Sequence, residues 1–124
     1  MLINDFFSIT NYSHTDYSAD FKICLNNNHA IYQAHFPNYP ITPGVCTIQI
    51  AKELFNFLKQ SESTIKKIKN LKFTHPLIPT THSEVNFHLI WEDIDDENLT
   101  RIKVVVKKDD IIFSKMNMQL MITD

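Results

Sequence analysis

The sequence predicts an α+β domain spanning residues 1–124, in which a curved antiparallel sheet wraps one central helix. Two patterns carry that expectation. Several segments alternate apolar and polar side chains with the period-2 spacing of half-buried strands. One segment, 44–60, is apolar around most of its circumference, and such a helix must be largely enclosed by other structure. The length agrees with a single core: 124 residues, 44% of them hydrophobic, fit the common domain size and carry more apolar surface than a disordered chain.

Taken in order, residues 17–25 set Phe21, Ile23 and Leu25 against Asp20, Lys22 and Cys24, a strand pattern. Asn26-Asn27-Asn28 makes a turn, since asparagine tolerates left-handed backbone, and 29–33 is expected to return as a short strand that completes a hairpin. The stretch 37–43 holds three of the five prolines and is expected to be irregular. Thr42 then offers an N-cap with Pro43 at the first helical position. Through 44–60 the residues Val45, Cys46, Ile48, Ile50, Ala51, Leu54, Phe55, Phe57 and Leu58 form the enclosed helix. A strand over 66–73 and a loop holding Pro76 and Pro79 follow. Three further strands place Val85, Phe87, Leu89 and Trp91, then Ile102, Val104 and Val106, then Met116, Met118, Leu120 and Ile122 on one face.

Composition narrows the function. Twelve basic against fourteen acidic side chains give a net charge of −2, which argues against bulk nucleic-acid binding. No stretch has the roughly 18–20 apolar residues of a membrane span. The segment 1–7 carries an acid and lacks a basic start and a long apolar run, so it does not read as a signal peptide. Cys24 and Cys46 are isolated and read as reduced thiols, and the expected location is the cytoplasm. His14, His29, His75, His82 and His88 show no metal-binding spacing, and no metal or cofactor is expected. The oddest count is a single glycine, Gly44, where average usage of about 7% would give roughly nine.

Gly44 falls in the densest cluster of unusual residues, His35-Phe36-Pro37-Asn38-Tyr39-Pro40-Ile41-Thr42-Pro43-Gly44-Val45. A histidine precedes a stiff loop, and a helix N-terminus follows. Helix N-termini present unpaired N–H donors suited to a carbonyl oxygen gaining charge. Glycine there lets a ligand reach the backbone, and it also eases a tight helix start. A nearby imidazole is a credible general base.

This run resembles the active-site signature of the 3-hydroxyacyl-[acyl carrier protein] dehydratases of type II fatty acid synthesis. The stretch Lys72-Phe73-Thr74-His75-Pro76-Leu77-Ile78-Pro79 resembles that family's second landmark, a weak match on its own. The resemblance implies a hot dog fold and dehydration of a 3-hydroxyacyl thioester to the trans-2-enoyl product. It implies His35 as the base that takes the α-proton and the Gly44 N–H as the donor to the thioester carbonyl. Phe36, Pro43, Val45 and Glu53 are weaker candidates for substrate contact. It further implies an acyl carrier protein partner and at least a homodimer, His35 of one subunit facing Gln49 of the other, or pairing with a homologous hot dog subunit.

Gln49 is a departure, because the family carries a carboxylate at this position on the helix. An amide holds a hydroxyl or water but cannot supply a proton as a carboxylic acid does. Three readings are open: His35 shuttles the proton while Gln49 orients the hydroxyl, Glu53 one turn on serves as the acid, or the chain is a degenerate acyl-binding accessory subunit. Ala34, Thr80 and Thr81 also depart from the family's pattern. An acyl thioesterase is the rival enzyme, since hot dog proteins host both reactions. Lys66, Lys67, Lys69 and Lys72 suit an acidic carrier, or are a solvated strand face. Tyr39, Phe55 and Phe57 either line an acyl tunnel or belong to the core.

Overall fold

A computed structural model of the chain describes residues 1–35, 38–94 and 98–123, with the His35 side chain, Phe36 and the acidic 95–97 segment outside the described set. The elements are β1 (Phe7–His14), β2 (Ser18–Leu25), α1 (Ala30–His35), α2 (Gly44–Lys59), β3 (Ser63–Phe73), β4 (Glu84–Ile94), β5 (Leu99–Lys108) and β6 (Ile111–Ile122). The six strands make one antiparallel sheet in the order β1-β2-β4-β5-β6-β3.

The alternation seen in the sequence sorts the faces as expected. Phe21 and Ile23, Val85 to Trp91, Ile102 to Val106, and Met116 to Leu120 turn their apolar members inward. There they meet Ile50, Ala51, Leu54 and Phe55 of α2, whose Phe55 ring packs edge-on to Trp91. The sheet therefore wraps the helix, in agreement with the expected hot dog architecture. Each buried side chain of this kind contributes roughly 1.5–3 kcal/mol relative to exposure, so this helix–sheet seam is the main source of stability.

Four expectations need correction. Residues 29–33 are not a return strand: 30–35 form α1. The His29 Nδ1 accepts the Ile31 N–H at 3.1 Å and caps the helix, while its Nε2 meets Asp5 Oδ2 at 3.1 Å. The partner of β2 is instead β1, which the sequence reading did not assign. After Phe7 and Ile9 its side chains are largely polar or exposed, and a bulge between Ile9 and Asn11 breaks the register. Thr42 does not cap α2. The N-cap is Pro43, with φ −60° and ψ 143° and no side-chain cap, and Gly44 takes the first helical position. Finally, α2 is enclosed on its sheet side only, because Val45 is 71% and Phe57 41% exposed.

The chain solves its tight backbone geometry without glycine. Positive φ falls on Asn4, Gln60, Asn70, Asn98 and Asp109, and Gln60 closes α2 in the left-handed conformation with its N–H on Asn56 O.

Candidate functional site

The short helix α1 and the stretch from Phe73 to Leu77 frame the start of α2. On one side α1 is fixed through Tyr32, whose ring stacks on Phe6 at 5.1 Å and whose hydroxyl shares a 2.9 Å hydrogen bond with the Thr42 hydroxyl. Burial pushes the Tyr32 phenol up to about 12, against the smaller lowering effect of that bond. Thr42 in turn donates its N–H to Leu77 O at 2.8 Å. Through these links the end of α1, where the His35 backbone lies, is tied to the loop entering α2.

The helix N-terminus itself is open. The first carbonyl used is Pro43 O, which accepts from Cys46 N at 3.0 Å and Thr47 N at 3.2 Å. The N–H groups of Gly44 and Val45 precede those bonds and have no side-chain cap, so they are the donors a ligand oxygen would meet. They edge a cavity of about 360 Å³ bounded by Pro43, Gly44 and Thr47 on one side and by Phe73, His75 and Phe113 on the other. A Cβ on Gly44 would stand 2.8 Å from Phe73 Cζ, so the absence of a side chain lets this ring lie directly on the backbone. Gly44 has no positive φ, and its function here is close approach.

Further along α2, Gln49 donates its Nε2 to Glu53 Oε2 at 2.8 Å. Glu53 is only 4% exposed. Its carboxylate also accepts the Leu2 N–H at 2.9 Å on both oxygens and the Ile3 N–H at 2.8 Å. The carboxylate acts as an acceptor toward all three donors and pins the N-terminal turn to the helix. It also sets the Gln49 amide: with the NH₂ turned to Glu53, the carbonyl Oε1 is the end left for another partner.

Of the candidates read from sequence, Pro43 and Gly44 share the cavity, and Val45 points outward into solvent. Gln49 and Glu53 are bonded to each other, and Glu53 lines a separate cavity of about 460 Å³ beside Met1 and Phe57. Five residues separate Gly44 from Gln49, which is about 7.5 Å along the helix and about 140° around it, so within one chain they face different ways. Phe36 and the His35 side chain lie outside the described residues. Cys46 is buried, and burial pushes its thiol up, away from thiolate chemistry. Phe55 belongs to the core, whereas Tyr39 is exposed. Along β3 the ammonium of Lys69 is lowered chiefly by Lys67 beside it, which marks a crowded positive surface.

The cavity residues that sequence reasoning did not pick out as site residues include His75, visible in the second landmark but not given a role, and Ser114. The Ser114 hydroxyl is buried with no partner. Among the described residues, no helix is long and apolar enough to cross a membrane, and no group of three or more His, Cys, Asp or Glu is placed to hold a metal.

A curved antiparallel sheet wrapped on one helix defines a hot dog protein, here with an open, glycine-edged helix N-terminus. The chain belongs to the ApeI-like family, whose model, ApeI dehydratase, matches residues 11–115. Its fold is similar to that of a chain of the dehydratase heterocomplex ApeI:P from Xenorhabdus doucetiae, with 19% identity, TM-score 0.71, and 91% of this chain and 96% of that one covered. The putative thioesterase yhdA from Lactococcus lactis is similar at 13% identity and TM-score 0.65, covering 93% of this chain and 91% of that one. Cj0977, a sigma28-regulated virulence protein from Campylobacter jejuni, has 14% identity and TM-score 0.65, with coverage of 92% and 83%. At these identities the likeness is one of fold. None of the curated proteins matches the chain.

Proposed function

We propose that this protein dehydrates a 3-hydroxyacyl thioester, carried on an acyl carrier protein, to the trans-2-enoyl product. The observation that carries the reading is the uncapped start of α2 at Gly44, opening on a cavity and preceded by the helix that ends at His35, in a chain of a dehydratase family. The thioester carbonyl accepts from the Gly44 N–H, and this interaction strengthens as the oxygen gains charge. His35 removes the α-proton, the C3–O bond breaks as the Cα=C3 bond forms, and the departing hydroxyl takes up one proton, balancing the one removed, and leaves as water. Gln49 stands where the family has its acid and offers Oε1 to the hydroxyl of the substrate. A thioesterase needs a carboxylate to activate water, and the Glu53 carboxylate, taken up by three N–H donors, is poorly placed for that work.

The active form is a dimer, of this chain or with a homologous hot dog subunit. Exposed Val45 and Phe57 on α2, and the opposed directions of Gly44 and Gln49, favour a site completed across two chains. Lys66, Lys67, Lys69 and Lys72 on β3 suit the acidic surface of a carrier protein.

The test incubates the pure protein with 3-hydroxyacyl-carrier protein and follows enoyl product and free acid by mass spectrometry. Enoyl product is expected, and His35→Ala should lower its rate by about 10²–10⁴-fold. Free acid as the main product would replace this reading by thioester hydrolysis. No turnover, persisting in Gln49→Glu, would replace it by an accessory role.

A further inference from the structure

The amide of Gln49 has no proton to give a departing hydroxyl, and the neighbouring carboxylate of Glu53 faces another cavity. The Gly44 cavity holds an alternative. Among the described residues that line it, His75 is the only titratable one. The ring sits just beyond β3 and is strapped to the start of β6. The Thr74 N–H donates to Phe113 O at 2.8 Å, the Thr74 hydroxyl to Ile112 O at 2.5 Å, and His75 Nδ1 lies 3.0 Å from the same Ile112 O. A carbonyl oxygen only accepts, so Nδ1 carries hydrogen in both the neutral and the cationic ring. Proton exchange is thereby confined to Nε2. Pro76 follows and stiffens the strap.

A second observation marks the same cavity as a place for a polar ligand atom. Ser114 is 1% exposed, its hydroxyl has no hydrogen-bond partner, and it lines this cavity. Buried hydroxyls are nearly always paired, so an unpaired one in the wall makes this end of the cavity polar.

We propose that His75 is the second proton carrier of the reaction, resting on the dehydratase reading above. His35 takes the α-proton as the Cα–H bond breaks and the Cα=Cβ bond forms. The C3–O bond breaks, and the Nε2–H of the His75 imidazolium gives its proton to that oxygen, releasing water. His35 is then protonated and His75 neutral, and solvent carries the proton from one to the other.

The experiment uses His75→Asn, whose side-chain amide keeps an N–H near the Nδ1 position for Ile112 O and lacks Nε2. Two substrates are compared, a 3-hydroxyacyl thioester and its 3-fluoro analogue, whose leaving group has far less need of a proton donor. Elimination from the hydroxy substrate is expected to fall about 10²-fold or more, with elimination from the fluoro analogue within about threefold of wild type. Equal losses on both substrates would make His75 a structural residue, and no loss on the hydroxy substrate would return the proton transfer to His35. Either result overturns the proposal. A wild-type protein inert toward both substrates would remove the dehydratase reading itself and this inference with it.

Discussion

Gly44 has a backbone conformation that any residue adopts, so its worth lies in the missing Cβ. Phe73, 51% exposed, rests its ring where that atom would be. An alanine there would displace the ring outward rather than strain the core. Gly44→Ala is therefore expected to change stability by less than about 1 kcal/mol, since alanine also favours the helix. Turnover is expected to fall by about 10²-fold, because the new methyl group and the displaced ring crowd the donor N–H. Urea unfolding beside an enoyl-formation assay separates the two effects, and unchanged turnover would remove close approach as the reason for this glycine. The single glycine was visible as a compositional oddity, but its neighbour Phe73 was not, since 29 positions of chain separate them and only the fold brings them together.

At the scale of elements, the end of α2 carries a cost that the start avoids. Gln60 is held at φ 53°, where a side chain costs about 1–2 kcal/mol relative to the right-handed form. Glycine removes that cost but adds about 0.5–1 kcal/mol of unfolded-chain entropy. Gln60→Gly is expected to gain about 0.5–1 kcal/mol, read as a higher urea midpoint with unchanged slope. Strands β2, β4, β5 and β6 were legible because each alternates cleanly with one buried face. β1 was not, since beyond Phe7 and Ile9 it keeps no alternation to detect. α1 was misread because His29 to Gln33 is short enough to fit either period. What decided it was long-range: Tyr32 stacking on Phe6 and His29 reaching Asp5, partners far upstream. The loop into α2 was legible through its prolines and glycine, while the Glu53 clamp on Leu2 and Ile3 has no sequence signature, because it uses backbone donors.

At the scale of the whole molecule, stability and pH are linked through Tyr32. Its phenol rises from 10.0 to about 12 on folding, chiefly by burial. The folded chain thus keeps a proton that the unfolded chain releases near pH 10. The associated stability is complete below pH 10 and is lost as pH climbs toward 12, at about 1.4 kcal/mol for each pH unit. Tyr32→Phe is expected to flatten that alkaline decline while losing about 1 kcal/mol at neutral pH, the worth of the Thr42 bond. Urea unfolding of both proteins at stepped alkaline pH checks it, and parallel declines would assign the alkaline sensitivity to other groups.

The strand order has a consequence in time. β3 (Ser63–Phe73) is made directly after the central helix, yet its ladder partner is β6 (Ile111–Ile122), the last strand along the chain. Ribosomes add about 5–20 residues each second, so α2 and β3 emerge seconds before the strand that joins them to the sheet. Throughout that interval Ile50, Leu54 and Phe55 have no complete sheet to face. The lysines at 66, 67, 69 and 72 sit on the strand that must wait longest, where positive charge deters pairing with the wrong neighbour.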